Sequence, residues 1–228
     1  MAKFCVFGDS IAKGVIYDSI KQKYVLAKEC CANIFASATG FVVRNYARFG
    51  STVQRGLEVF GKHKEDVSQY NHIVLEFGGN DCNFNWSEVS AAPDAKHLPA
   101  TEPHIFKKQY GDLIDEIEAD GGNPVLLTLP PLHSPRFVDW ISKDLDKDAI
   151  LHWLGGDAYF TYRWQELYSL MVCQLAMEKN IPLIDIRGEF LRQINYENYL
   201  CEDGMHPSEE GQLLISNVLY ENWNRVSA

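Results

Sequence analysis

The chain has 228 residues, of which 46% are hydrophobic and 23% charged, and its formal net charge is −10. That length supports one well-cored domain spanning 1–228, and the composition excludes a disordered chain. The negative field repels phosphate backbones and anionic membrane surfaces, so neither nucleic acid nor membrane insertion is expected.

In chain order, Phe4–Phe7 is a short β-prone run that ends at Gly8, Asp9 and Ser10. Further apolar runs at Val42–Tyr46, Ile73–Phe77, Val125–Leu129 and Leu183–Ile186 lack a polar face and read as buried parallel strands. Helical periods lie between and after them. Phe106, Tyr110, Leu113, Ile114 and Ile117 share a face closed by Gly121-Gly122. Trp164, Leu167, Tyr168, Met171 and Leu175 repeat that pattern before Asn180. A last helix opens at Pro207-Ser208 and carries Leu214, Ile215, Val218, Leu219 and Trp223. Strand–helix alternation of this kind predicts an α/β fold, a three-layer α/β/α sandwich around a central, mostly parallel sheet of five strands. No apolar run approaches a membrane span, and Lys3–Phe7 is too short for the core of a signal peptide, so a cytoplasmic location is expected. The six cysteines form no CxxC pair, which favours reduced, mostly buried thiols over a zinc site or disulfide framework.

In such sheets ligands bind beyond the carboxyl ends of the strands. Those ends hold Gly8-Asp9-Ser10, then "NYARFGST" with Gly50, then "EFGGNDCN" with Asn80 and Asp81; "CEDGMHPSEEG", with Asp203 and His206 three positions apart, precedes the last helix. Each stretch alone reads equally well as a turn, with Asp9 and Asp81 bracing their own loops. An acidic residue near a histidine could also mean a metal, but no third and fourth ligand stand at recognisable spacing, so no metal is expected. Together the stretches supply a serine, a base, a carboxylate to orient the base and amide donors for an oxyanion, which is the set acyl transfer requires.

The four blocks "FGDSIAKG", "NYARFG", "FGGNDCN" and "DGMHPSEEG" occur in that order across nearly the whole chain. In this the chain resembles the SGNH, or GDSL-type, hydrolase family of esterases and lipases. The resemblance implies a flavodoxin-like sheet order of 2-1-3-4-5, Ser10 as nucleophile and His206 as base, oriented by Asp203. It also implies an oxyanion hole made by the backbone N–H groups of Ser10 and Gly50 and the side-chain amide of Asn80. The implied mechanism is hydrolysis through an acyl-serine with no cofactor, on a small-molecule ester. Ile11 replaces the usual leucine, a volume-conserving change.

Two segments, 82–105 and 131–163, follow strand ends and read as irregular pocket-building loops. The first is polar on balance, and neither offers a continuous apolar lining, while Trp86 and Trp140 could stack on a sugar ring. The expectation is therefore a short-chain acyl ester, with an acetylated carbohydrate as one form. A lysophospholipase or thioesterase and a catalytically idle binding module of the same fold are the alternatives.

Overall fold

The computed structural model describes residues 2–226. Strand β1 (Lys3–Gly8) runs into a single helical turn, α1 (Ser10–Lys13), then into a hairpin of β2 (Val15–Asp18) and β3 (Lys23–Leu26). Helix α2 (Cys31–Thr39), β4 (Val42–Asn45), α3 (Val53–Val67) and β5 (His72–Glu76) follow. After them come α4 (Trp86–Ala91), α5 (Pro103–Ala119), β6 (Pro124–Leu127), α6 (Ser134–Ile141) and α7 (Lys147–Trp153). The chain continues through α8 (Phe160–Lys179), β7 (Leu183–Ile184), α9 (Ile186–Arg192), a 3₁₀ turn (Tyr196–Tyr199) and α10 (Glu209–Val226).

Five strands form one parallel sheet in the order β4-β1-β5-β6-β7. Because the hairpin takes two labels, this is second, first, third, fourth, fifth among the sheet's own strands. The uninterrupted apolar runs serve two faces at once, since side chains alternate along a strand. Cys5, Phe7, Ile73, Leu75 and Leu126 pack beneath α3, α5 and α8, while Phe4, Val6, Val74, Val125 and Leu127 face α2, α9 and α10. A third apolar cluster lies off the sheet, where α4, α6 and α7 meet through Trp86, Val89, Phe137, Val138 and Ile150.

Four details depart from the sequence reading. Ile186 starts a helix rather than ending a strand, because the Asp185 carboxylate accepts from Gly188 N–H and caps α9. Leu167 is exposed, and the buried stripe of α8 passes through Tyr168, Met171, Val172, Leu175 and Ala176. The hairpin was not expected. Finally, segments 82–105 and 131–163 are largely helical. Pro103 and Pro135 sit in the first turns of α5 and α6, where a missing N–H costs nothing, so these prolines start helices. No helix among the described residues is long and apolar enough to cross a membrane.

Candidate active site

Gly8 ends β1 directly opposite Glu76 at the end of β5. A Cβ on Gly8 would come within 2.8 Å of both the Glu76 carbonyl oxygen and the Ala12 Cβ, so no larger residue fits there. The Asp9 carboxylate accepts from Ile11 N–H at 2.8 Å and caps α1, which leaves Ser10 as the first residue of the turn. Such a position leaves the Ser10 N–H without an intrahelical acceptor. The side chain is buried and its Oγ lies 2.8 Å from His206 Nε2.

His206 is delivered by the loop that leads into α10. Its Nδ1 lies 2.7 Å from Asp203 Oδ2, and Asp203 Oδ1 accepts from the backbone N–H groups of Met205 and His206 at 2.9 and 3.0 Å. Gly204, at φ +68°, lets this loop lie against α6, where a Cβ would come within 2.7 Å of the His133 carbonyl oxygen. Asp203 is fully buried. Burial pulls its carboxyl upward, but the bond and charge of His206 and the two backbone donors outweigh that and hold it below the usual carboxylate range. An ionised Asp203 keeps the proton on Nδ1 and leaves the Nε2 lone pair to accept from the Ser10 hydroxyl. Tyr24, from β3, donates to Asp203 Oδ2 at 3.0 Å. Burial and the Asp203 charge raise the phenol's pKa, so it remains a donor.

The other two strand-end loops are tied to this turn. One Asn80 amide nitrogen donates to Asp9 Oδ2 at 2.9 Å and to the Ser51 carbonyl at 3.3 Å. Both Asp81 oxygens accept from Val53 N–H, at 3.1 and 3.2 Å, and so secure the start of α3. Burial pushes Asp81 up to about 6 despite those bonds. Asp9 thus braces its own turn, as the sequence suggested, whereas the Asp81 carboxylate braces the start of α3, 28 positions away. Gly50, at φ +69°, is exposed, and its N–H has no protein acceptor among the described residues.

Sequence reasoning missed three neighbours. Tyr24 carried no signal, being 179 positions from its partner. Phe49 lies parallel to the His206 ring at 6.2 Å. Glu76 did carry one, as an acid at the end of an otherwise apolar strand. Glu76 is 1% exposed and neither oxygen has a donor in bonding geometry among the described residues. Burial raises the carboxyls of both Glu76 and Asp9, and the adjacent Asp9 charge raises Glu76 further. Burial beside a second carboxyl thus favours the neutral form of Glu76. In the unfolded chain its proton is lost in the ordinary carboxylate range, so stability falls as pH rises from there toward the raised value of the folded state. Glu76→Gln, which is neutral at every pH, should raise Tm more at pH about 8 than at about 5. A Tm difference that does not grow with pH in thermal scans would argue that Glu76 is ionised.

Beside Ser10 and His206 lies a small apolar pocket with about 40 Å³ of free space, with Ile11, Phe84, Trp86, Phe137, Trp164 and Met205 in its walls. This corrects the expectation that the two segments lack a continuous apolar lining: their polar residues point elsewhere. Asn85 bonds Glu88, and Asp94 bonds His152, both on the exposed side. The indole N–H groups of Trp86 and Trp164 are spent on Asn83 Oδ1 and the Cys82 carbonyl. Trp86 is a buried wall with no open face for a sugar. Trp140 lies outside the pocket, against Tyr17, with Lys143 Nζ 3.4 Å from its ring centroid.

Solved structures with the same fold include the lipase/acylhydrolase from Enterococcus faecalis, with a TM-score of 0.67 at 20% identity over 99% of this chain and 97% of that one. The hydrolase LAE5 from the metagenome of Lake Arreo, Spain, aligns with a TM-score of 0.67 at 18% identity over 100% and 97%. A member of the lipolytic G-D-S-L family from Veillonella parvula aligns with a TM-score of 0.64 at 17% identity over 99% and 100%. No curated protein matches the sequence. The sequence profile described as the GDSL-like Lipase/Acylhydrolase family matches residues 6–214, which takes in Ser10 and His206 together with the loops between them; the chain belongs to that family and is an esterase- and lipase-type hydrolase.

Proposed function

We propose that the protein cleaves short-chain carboxylic esters through an acyl-serine intermediate. The observation that supports this most directly is the unbroken hydrogen-bonded run from Ser10 through His206 to Asp203. As Ser10 Oγ attacks the carbonyl carbon, His206 Nε2 takes the hydroxyl proton, and Asp203 stabilises the imidazolium through Nδ1–H. The carbonyl oxygen becomes an oxyanion stabilised by the N–H groups of Ser10 and Gly50 and by the Asn80 amide. Asn80 contributes by releasing the longer of its two bonds, the 3.3 Å bond to Ser51, while the 2.9 Å bond to Asp9 keeps the amide aligned. The C–O bond to the alcohol then breaks and His206 protonates the leaving oxygen. Water, deprotonated by the same imidazole, releases the acid and restores Ser10.

The apolar pocket takes the acyl group. Its free space is only about 40 Å³ and its walls include the buried rings of Trp86 and Phe137, 5.9 Å apart, so the chain it accepts is short. Each methylene that enters contributes only about 0.8 kcal/mol, and one that does not fit contributes nothing. Across p-nitrophenyl esters, kcat/KM should peak at or below about four carbons and fall beyond. A steady rise through octanoyl would favour the lysophospholipase or thioesterase reading, which the aromatic lining also suits.

A further inference from the structure

A second opening borders the same site and has the opposite chemistry. A wide, solvent-open cleft of about 970 Å³ runs along the loop after β4, lined by Lys13, Arg44, Arg48, Arg55, Glu58 and His63 among others. Phe49 and Gly50 belong to its wall as well. Phe49 therefore faces the cleft and also stacks on the His206 ring. Lys13 closes the helical turn that Ser10 opens. The cleft thus begins where the nucleophile and its base are held.

Its charge runs against that of the molecule. The chain as a whole is −10, yet the cleft's one acid, Glu58, is already engaged by Arg55. His63 sits 3.5 Å from Asp66 and is stacked on Tyr46. Lys13, Arg44 and Arg48 have no carboxylate partner among the described residues, and the Arg44 guanidinium rests 5.6 Å from the Tyr46 ring centroid. Three unpaired cations gathered in one concavity of an acidic protein make a local positive field, and guanidinium forks match the oxygens of a phosphate.

We propose that this cleft is a phosphate subsite of the esterase site, binding a phosphate carried on the alcohol side of the ester. The inference rests on the esterase reading above: the apolar pocket holds the acyl chain, Ser10 meets the carbonyl, and the alcohol extends past Phe49 toward Arg44 and Arg48. Hydrolysis would release a free carboxylic acid and a phosphorylated alcohol.

The test compares butyryl esters of glycerol and of glycerol 3-phosphate. The ratio of their kcat/KM values, phosphorylated over neutral, should exceed about tenfold at low salt and shrink in about 0.5 M NaCl as the charges are screened. Inorganic phosphate should compete with the phosphorylated ester. The Arg44→Gln, Arg48→Gln double variant should bring the ratio close to one, and the matching pair of lysine substitutions should retain part of it. Because each ratio is taken within one variant, general damage to the fold cancels. A wild-type ratio at or below one, or a ratio that the double variant leaves unchanged, overturns the subsite while leaving the esterase reading intact. Turnover of neither ester removes both. Repeating the comparison with a long-chain monoacyl glycerol phosphate in micelles, against its phosphate-free counterpart, separates a lipid source from a soluble one; the faster donor identifies it.

Discussion

Ser10→Ala should lower kcat/KM on any ester the enzyme turns over by roughly 10⁴–10⁶, the range expected when the nucleophile of a serine hydrolase is removed. The fold should survive. Among the described residues the hydroxyl's one hydrogen-bond partner is His206 Nε2, and the brace of the turn, Ile11 N–H to the Asp9 carboxylate, does not involve it. Unchanged thermal unfolding beside lost turnover is therefore the expected pair of results. A fluorophosphonate should label the wild-type protein at Ser10, and mass spectrometry of the adduct checks the position. The competing serine is Ser51, which is also buried at the rim, but its hydroxyl donates to the Thr52 carbonyl and meets no base among the described residues. An adduct on Ser51 would overturn the assignment. His206→Ala should match Ser10→Ala in depth, and the double variant should be little worse than either, because the two act as one unit.

The second large effect belongs to Asn80. Asn80→Ala should reduce kcat by about 10²–10³ with little change in KM, since the amide meets charge only once the carbonyl oxygen becomes an oxyanion. A change confined to KM would make Asn80 a substrate-binding group instead. Asn80→Asp should be at least as damaging, because it sets a third carboxyl against the Asp9–Glu76 pair.

Much of this site was legible because its parts come from short blocks whose local geometry is set by neighbouring residues. Gly8-Asp9-Ser10 turns where it does because β1 ends opposite Glu76, and Asp203 and His206 close on each other within a single Asx-type turn. The five strands were legible because burial on both faces requires continuous apolar runs. What was lost depended on contacts between distant segments. Tyr24 reaches Asp203 only through a hairpin whose exposed, mixed sequence has no strong period. The apolar pocket was misjudged because averaging polarity over Cys82–Ile105 cannot show that Trp86 turns inward while Asn85 and Glu88 pair outward. Segments 82–105 and 131–163 read as irregular loops although Pro103 and Pro135 begin helices within them.

The long reach between Ser10 and His206 bears on when the protein becomes active as it is made. Their hydrogen bond joins residues 196 positions apart. At typical elongation rates of 5–20 residues per second, the histidine leaves the ribosome about 10–40 s after the serine. During that interval β1 can already pair with β4 and β5, so a sheet carrying Ser10 forms while its base is still untranslated. On the mechanism proposed above, Ser10 is until then an ordinary alcohol. On that mechanism reactivity arrives at one late moment, when the Asp203–His206 turn closes over an assembled scaffold, and a chain stalled before that turn would expose no activated serine.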